Sequence, residues 1–279
     1  HDPPNLQGAK QRGFAADLDL LWPDRTVADG IRAAAAAGFT GVEFGAVIPA
    51  ELDATLAAVA ETEMQVLAIT TAPGVVSKDE IGLAAVAGRE GAASLAIDQA
   101  IAQAVTLEAQ AVHVTAGRGD GDPAFETWIG NLEYACAQAT LHGLRVLIGP
   151  QNRRDTPGAF VHSLEQCTRA IEELGHPALR LMFDCYEVSR CNGDLTGHLE
   201  DLMPLIGQIR IAGVPDRGTP DRGEVNFAYV LRVIEGLEWT APVSASYRPR
   251  GRTDHSLAWM RSLRPAVIRP WQLAACAAP

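Results

Sequence analysis

Lysine is almost absent from this sequence of 279 residues, which contains only Lys10 and Lys78. Lys10 lies in the first dozen residues, and Lys78 lies in the polar stretch Ser77-Lys78-Asp79-Glu80. Neither stands in an apolar strand, the desolvated setting that an imine-forming lysine requires. The sequence therefore argues against an enzyme of the Schiff-base aldolase kind.

Long apolar segments, a basic surface and paired cysteines are also missing. No apolar run reaches the roughly 18 residues that span a bilayer, and the first residues lack the pattern of a signal peptide. The formal charge is −11, whereas a face that binds nucleic acid is basic. The five cysteines are an odd number without regular spacing, which favours free thiols. We therefore expect a cytoplasmic protein that binds neither nucleic acid nor membranes.

Nucleotide-binding motifs are missing as well. There is no P-loop and no Gly-x-Gly-x-x-Gly after a strand, the two short motifs that cradle phosphates at a helix N-terminus. We therefore expect no nucleotide or other cofactor. The partner that remains is a small-molecule substrate.

Short apolar runs alternate with longer amphipathic ones along the chain. Strands are predicted over residues 13–17, 41–44, 65–70, 111–115, 144–149, 179–184, 208–212 and 242–247. Helices are predicted over residues 27–37, 50–62, 92–108, 124–142, 163–174, 194–205, 227–235 and 253–263. This alternation indicates a (β/α)8 TIM barrel of the α/β class. We predict a single domain over residues 1–279, with a ragged N-terminus at 1–12 and a tail at 265–279.

The fold predicts where the functional site lies before any chemistry is considered. Active sites of such barrels lie at the C-terminal ends of the strands. The residues there are Asp17, Glu43, Thr70, His113 and the segments 149–152, 184–187, 210–217 and 246–250. These positions are rich in carboxylates and guanidinium groups, which indicates a charged pocket.

A series of short stretches between residues 14 and 263 carries a family resemblance. They include Gly41-Val42-Glu43-Phe44, Val112-His113-Val114, Arg154-Asp155-Thr156-Pro157-Gly158, Gly193-Asp194-Leu195-Thr196, Gly223-Glu224-Val225-Asn226 and Tyr247-Arg248-Pro249-Arg250-Gly251. In their order they resemble the hydroxypyruvate isomerase family, within the xylose-isomerase-like barrels. The resemblance implies a metal-assisted isomerisation of a small hydroxy-carbonyl acid. It also implies metal ligands on four strand ends: Glu on the fifth, Asp on the sixth, Gln or His on the seventh and Glu on the eighth. Both Glu residues shuttle the proton in that family, and oxygen ligands suit Mg²⁺ or Mn²⁺.

The sequence departs from that pattern at three of the four ligand positions. Gly149 stands for the fifth-strand Glu, Arg210 for the seventh-strand Gln and Ser246 for the eighth-strand Glu, while Asp184 is kept. Glu187 stands where the family has a substrate-facing His. These changes remove two carboxylates and add a guanidinium, which stays protonated and repels a nearby cation. We therefore predict no divalent metal at the inherited position.

Arg210 is expected to occupy the place of that cation. It either pairs with Asp184 on the neighbouring strand end, or it binds a substrate carboxylate or polarises a carbonyl as a metal would. Purely structural roles stay open for three of these residues: Asp184 as a counter-charge, Glu187 as a solvated rim residue and His113 as a core histidine. The candidate catalytic residues are Asp184, Glu187 and Arg210, and the candidate substrate-binding residues are Glu43, His113, Asn152, Arg217, Glu224, Ser246, Tyr247 and Arg250.

Three functions stay open at this point. The first is a divergent hydroxypyruvate-isomerase-like enzyme with metal-independent acid–base chemistry on a small, anionic or polyoxygenated carbonyl compound, in the setting of a specialised biosynthetic pathway. That chemistry is isomerisation, dehydration, cyclisation or decarboxylation. The second is a non-catalytic protein that binds a ligand or a partner chain, and the third is a metal-dependent hydroxypyruvate isomerase. We favour the first, and we expect a homodimer because dimers are common among such barrels.

Overall fold

The computed structural model describes residues 13–263, and its parallel strands close into one barrel in chain order. The strands are β1 (Phe14–Asp17), β2 (Gly41–Gly45), β3 (Gln65–Thr70), β4 (Ala111–His113), β5 (Arg145–Ile148), β6 (Leu179–Asp184), β7 (Ile206–Ile211) and β8 (Val243–Ala245). The helices are α1 (Val27–Ala37), α2 (Pro49–Thr62), α3 (Glu90–Thr106), α4 (Gly121–Thr140), α5 (Leu164–Leu174), α6 (Cys185–Cys191), α7 (Leu195–Leu202), α8 (Phe227–Gly236) and α9 (Trp259–Ser262). The predicted α/β TIM barrel is confirmed.

The observed helices differ from the predicted ones in two places. The helix α6 was not predicted, because seven residues are too few to show helical periodicity. It begins where the Asp184 side chain accepts hydrogen bonds from the amides of Tyr186 and Glu187, as an N-cap does. The predicted helix over residues 253–263 is instead a short 3-10 turn, Thr253–His255, followed by α9. The predicted N-terminus, the tail and Cys276 lie outside the described residues, where Lys10 also lies.

The barrel interior has an apolar side and a polar side. Strand residues alternate in direction, so every second side chain points inward. On β3 to β6 the inward layer is a buried cluster of Ala68, Ala111, Leu147 and Met182. Across the barrel the corresponding buried residues are polar: Glu43, Gln208 and Ser244. The second apolar core lies between strands and helices, and no helix within residues 13–263 is long and apolar enough to cross a membrane.

Candidate active site

A cavity of about 470 Å³ opens at the C-terminal ends of the strands. That volume lies in the range of sites for small molecules. Its charged and titratable lining residues are Asp17, Asp19, His113, Asp155, Asp184, Glu187, Arg210, Arg217 and Arg248. The apolar floor includes Met182 of the inward cluster. The position is the one predicted from the fold.

Glu43 and Arg210 form what we call the inner ion pair, which crosses the barrel from β2 to β7. The Arg210 Nε donates to Glu43 Oε1 at 2.9 Å, and Nη2 donates to Oε2 at 2.6 Å. The Gln208 amide also donates to Glu43 Oε2 at 2.7 Å, and the Ser244 hydroxyl donates to Oε1. The carboxylate is 1% exposed, so four hydrogen bonds replace its lost water. Burial alone would lower the pKa of Arg210, but the charges of Glu43 and Asp17 raise it, and the guanidinium stays protonated.

Arg217, Asp184 and Glu187 form what we call the outer ion network. Arg217 Nη2 lies 2.6 Å from Asp184 Oδ2, and Nη1 lies 2.7 Å from Glu187 Oε1. The second Glu187 oxygen accepts from the backbone amide and the side chain of Asn152, at 2.7 and 2.6 Å. Burial, and then the charge of Asp184, raises the pKa of Glu187. One arginine therefore serves two carboxylates that repel each other.

Ser246 connects the outer ion network to Asp17. Arg217 Nη2 donates to Ser246 Oγ at 3.0 Å, and Oγ donates to Asp17 Oδ2 at 2.7 Å. Asp17 is buried at the end of β1, beside Glu43 on β2. Burial, and then the charge of Glu43, raises the pKa of Asp17 to about 7. Asp17 is thereby a carboxylate of the cavity that can change its charge near neutral pH.

His113 lines the same cavity as a neutral imidazole. Burial, and then the charge of Arg210, lowers its pKa to about 3. Its Nδ1 lies 3.4 Å from the Thr70 hydroxyl. Near neutral pH the ring therefore adds no charge and has one donor and one acceptor nitrogen to offer.

The structure brings most of the predicted site residues together. Asp184, Glu187, Arg210, His113, Arg217 and Ser246 line the cavity. Glu43 and Asn152 lie behind this lining, bonded to Arg210 and Glu187 respectively.

The remaining three predicted residues, Glu224, Tyr247 and Arg250, are not among the lining residues. Tyr247 is fully buried and its hydroxyl accepts from the Trp259 indole at 3.2 Å. Arg250 is 84% exposed and pairs with Asp216, and Glu224 is exposed. The sequence showed their positions beyond strand ends but not the turns that direct them away from the cavity.

The predicted pairing of Arg210 with Asp184 is wrong. These residues are register partners on β6 and β7, which is what the sequence suggested. The Arg210 side chain instead spans the barrel to Glu43, and Asp184 is taken by Arg217 from the loop after β7. Arg217 has φ of 54°, a left-handed backbone that a sequence does not announce for arginine.

Four charged lining residues, Asp17, Asp19, Asp155 and Arg248, were not among the candidates selected from the sequence. Asp17 was visible as a strand-end carboxylate but matched no motif. Arg248 lies two residues before the selected Arg250, and its amide donates to the Arg217 carbonyl at 2.7 Å. This backbone contact directs Arg248 to the cavity mouth.

The charges at the four strand-end positions do not fit a divalent cation. Asp184 is the only carboxylate among them, and Arg217 already binds it at 2.6 Å. Arg210 brings a fixed positive charge to the same strand ends, which repels a metal ion. No group of three or more His, Cys, Asp or Glu side chains between residues 13 and 263 is arranged to hold a metal.

The backbone at Gly149 gives a second, steric reason. A Cβ atom there would lie 2.7 Å from the Met182 carbonyl oxygen and 3.2 Å from the Met182 Cβ. No L side chain is accepted without a shift of β5 against β6. The position that carries glutamate in the resembling family is therefore closed to a carboxylate here.

Comparisons with known proteins place the chain among isomerases and related barrels. A sequence model of the xylose isomerase-like TIM barrel matches residues 31–263. A 2-oxo-tetronate isomerase of Cupriavidus necator is 36% identical over 257 residues, covering 89% of this chain and 97% of that one. The hydroxypyruvate isomerase of Escherichia coli is 28% identical over 255 residues, covering 90% and 99%. A crystal structure described as AP endonuclease, family 2, from Brucella melitensis has a TM-score of 0.85 at 31% identity, covering 91% and 99%.

The closed barrel, the position of the cavity and the sequence matches agree with one another. The family model spans most of the described residues, and the Cupriavidus relative shares well over a quarter of its residues across nearly the whole chain. The resemblance carried by the short stretches is thereby confirmed. The chain belongs to the xylose isomerase-like TIM-barrel family.

Proposed function

We propose that this protein is an isomerase of small hydroxy-oxo acids that works without a divalent cation at the inherited position. The relatives named 2-oxo-tetronate isomerase and hydroxypyruvate isomerase align over almost their full lengths. Both named compounds are short 2-oxo acids with a hydroxyl group beside the carbonyl. A substrate of this class is small enough for the cavity of about 470 Å³.

Isomerisation of such an acid moves one proton between adjacent carbons. A base removes the hydrogen from the carbon that carries the hydroxyl group, and the electron pair passes to the neighbouring carbonyl oxygen. The proton then returns to the former carbonyl carbon, while the hydroxyl proton passes to the other oxygen. The product is an isomer and the protein is unchanged. The site has to supply a cation for the oxygen and a group that carries the proton.

The single observation that carries the proposal is the position of the Arg210 guanidinium. Its Nε and Nη2 are bound to Glu43, whereas Nη1 has no hydrogen-bond partner within residues 13–263 and Arg210 lines the cavity. A donor already fixed by a buried carboxylate needs no reorganisation when charge develops on a substrate oxygen. Arg210 therefore supplies the electrostatic stabilisation that a metal supplies in other isomerases.

Arg248 is the residue that fits the substrate carboxylate. It is exposed at the cavity lining, and its side chain makes no ion pair with any residue described between 13 and 263. Arg210 and Arg217, by contrast, are each neutralised by buried carboxylates. An unpaired guanidinium at the mouth attracts an anion and binds a carboxylate through two parallel hydrogen bonds.

The carboxylates Asp184 and Glu187 supply acid–base groups for the proton that passes between the two substrate oxygens. Both line the cavity, and Arg217 fixes both. The raised pKa of Glu187, caused by burial and by Asp184, brings this side chain nearer to the value that suits proton transfer at neutral pH.

The proposal is tested by proton NMR in D2O, which reports exchange of carbon-bound hydrogens. The purified protein is incubated with hydroxypyruvate, with 2-oxo-tetronate and with pyruvate, which lacks the hydroxyl group. We expect exchange and a new isomer with the hydroxy acids but no product from pyruvate. Arg210→Gln is expected to slow the reaction by about 100-fold or more, whereas the exposed control Arg32→Gln leaves it unchanged.

The same experiment also tests the alternative that the protein binds a ligand without catalysis. The outer ion network favours it, because one arginine, Arg217, already pairs with both Asp184 and Glu187. Saturable binding of the hydroxy acids with no exchange at any pH would contradict the isomerase and support a ligand-binding protein. The double variant Glu43→Gln/Arg210→Gln, which removes both charges of the inner ion pair, separates loss of chemistry from loss of folding.

A further inference from the structure

Four buried or half-buried carboxylates at the C-terminal end of the barrel differ in one respect. Glu43, Asp184 and Glu187 each have an arginine nitrogen within 2.7 Å. Asp17 is 4% exposed and has no salt bridge to any described residue of the chain. A carboxylate that is buried, unpaired and in contact with a cavity is costly to keep ionised, and such a group is a common mark of proton chemistry.

We propose that Asp17 is the residue that takes the proton from the substrate carbon and returns it to the neighbouring carbon, with Ser246 as its positioning residue. This inference rests on the proposed isomerase function and identifies the group that performs its central step. In that step the Asp17 carboxylate becomes a carboxylic acid as the carbon–hydrogen bond breaks. The electron pair goes to the substrate oxygen at Arg210, and the carboxylic acid then gives its proton to the adjacent carbon.

The geometry of Asp17 leaves room for this transfer. Its Oδ1 accepts from the Asp19 amide at 3.1 Å, and its Oδ2 accepts from the Ser246 hydroxyl at 2.7 Å. Each oxygen therefore has one hydrogen bond and a further lone pair. The contacts fix the orientation of the carboxylate without neutralising it, while Asp17 itself lines the cavity.

Ser246 is oriented by the outer ion network. Arg217 Nη2 donates to Ser246 Oγ at 3.0 Å, and Arg217 Nε donates to the Ser246 carbonyl at 3.1 Å. Because Arg217 can only donate, the hydroxyl hydrogen of Ser246 is left to point at Asp17. The serine that stands in place of the family's eighth-strand carboxylate thus holds another carboxylate, one strand away on β1.

The charges around Asp17 suit a group that alternates between acid and base. Glu43 faces it from β2 and Arg210 from β7, with Asp19 on its own loop and the uncharged Ser246 beyond β8. Burial, and then Glu43, raises the pKa of Asp17 to about 7, while Arg210 opposes that rise. An acid–base group is most effective when its pKa lies near the working pH. The charge of Arg210 thus acts on Asp17 and also on the cavity that both residues line.

The experiment compares three variants of the full chain in the D2O exchange assay with hydroxypyruvate, over a pH series. Asp17→Asn keeps the shape and the acceptor for Ser246, and we expect a rate about 100- to 10,000-fold below wild type with little change in KM. Ser246→Ala removes one hydrogen bond to the carboxylate, and we expect about a tenfold lower kcat and a pH profile displaced to higher pH. Asp201→Asn, an exposed aspartate on α7, is the matched control and is expected to behave as wild type.

The outcomes distinguish the assignment of Asp17 from the isomerase function itself. An active wild type with Asp17→Asn within about threefold of it overturns the assignment of Asp17 and leaves the isomerase function standing. A wild type that exchanges none of the acids overturns both. A melting curve shows that each variant is folded. If Asp17→Asn does not fold, a Ser246→Ala pH profile that coincides with wild type still contradicts the proposal.

Discussion

The inner ion pair and the outer ion network use the same chemistry on different parts of the fold. Glu43 and Arg210 stand on β2 and β7, so the alternation of strand residues fixes their direction. Arg217 and Asn152 stand on loops, and Glu187 stands on the short helix α6. The inner ion pair shares the hydrogen bonds of the barrel interior. The outer ion network instead joins Asp184 at the end of β6 and Glu187 on α6 to Arg217 on a loop.

Because of this difference, we expect the inner ion pair to matter most for the stability of the barrel and the outer ion network to matter most for the geometry of the site. Charges buried in a barrel interior are tolerated only when they are fully paired, so losing one partner of the inner ion pair affects the whole domain. The outer ion network borders the cavity on several sides, so changes there act on the shape and the charge of the site. Site residues on loops and rigid frames on strands are a common division in barrels.

Removing the inner carboxylate should have the largest effect. Glu43→Gln leaves the Arg210 charge buried without a counter-charge, and we expect about 3 to 5 kcal/mol less free energy of unfolding. Urea denaturation measures it. Glu61→Gln, the partner of Arg32 in an exposed pair, is the control and should cost at most about 1 kcal/mol. A loss as small as that at Glu43 would contradict the burial of the inner charge.

Removing the outer arginine should cost less and should depend on pH. Arg217→Ala leaves Asp184 and Glu187 facing each other, which raises the already elevated pKa of Glu187 further. The folded state then binds a proton more tightly than the unfolded state, so the free energy of unfolding falls as the pH rises through the raised pKa of Glu187. We expect a loss of about 2 to 4 kcal/mol near pH 8 and a clearly smaller loss near pH 5.

Two features make that measurement specific. Alanine and arginine have similar backbone costs at the positive φ of this position, so the difference reports side-chain interactions. Arg217→Lys keeps a charge without the two-pronged contact and should restore part of the stability. A loss that is equal at both pH values would show that the carboxylates of the outer ion network are solvated.

Asp17 lies between the inner ion pair and the outer ion network, and its replacement should stabilise the protein. Its pKa of about 7 lies above the ordinary 3.8, so the folded state binds the proton more tightly and stability falls as pH rises from about 4 to about 7. Asp17→Asn removes this titration. We expect it to gain about 1 to 3 kcal/mol over wild type near pH 8 and little near pH 4. Denaturation curves for Asp17→Asn that parallel wild type across this range would contradict the account.

The smallest effect is expected at Gly149, the fifth-strand position where the resembling family carries a glutamate. Gly149→Ala places a Cβ against the Met182 carbonyl, and we expect a loss of about 1 to 2 kcal/mol. Gly130→Ala within α4 meets nothing within 4 Å and should gain up to about 1 kcal/mol. Thermal denaturation compares them, and a neutral Gly149→Ala would show that the β5 backbone can accept a side chain.

The sequence predicted the frame of the site better than its contacts. Aliphatic runs bounded by polar residues gave β3 and β6 at their observed bounds, and strand ends identified Glu43, Asp184 and Arg210. The partner of Arg210 was not predictable, because its side chain reaches across the closed barrel and several carboxylates lie within its length. Pairing along neighbouring strands suggested Asp184, while the true partner is set by barrel curvature and by Gln208 and Ser244, which also bind Glu43.

Residues beyond the strand ends were the hardest to place. Arg248 and Arg250 lie two positions apart, yet Arg248 lines the cavity and Arg250 pairs with Asp216 at the surface. Tyr247 was expected in the pocket but packs edge-on against Trp259, with ring centroids 6.0 Å apart. Such choices depend on turns and on distant aromatic partners, which a single sequence does not specify.

Metal analysis combined with kinetics shows whether Arg210 takes the place of a cation in the reaction. The purified protein is treated with a strong chelator and dialysed, its metal content is determined, and the rate of hydroxypyruvate hydrogen exchange is measured with and without added Mn²⁺. If Arg210 takes that place, we expect less than about a tenth of an equivalent of bound metal and a rate unchanged to within about twofold in all conditions. A rate that falls by about 100-fold on chelation and returns with Mn²⁺ would contradict it.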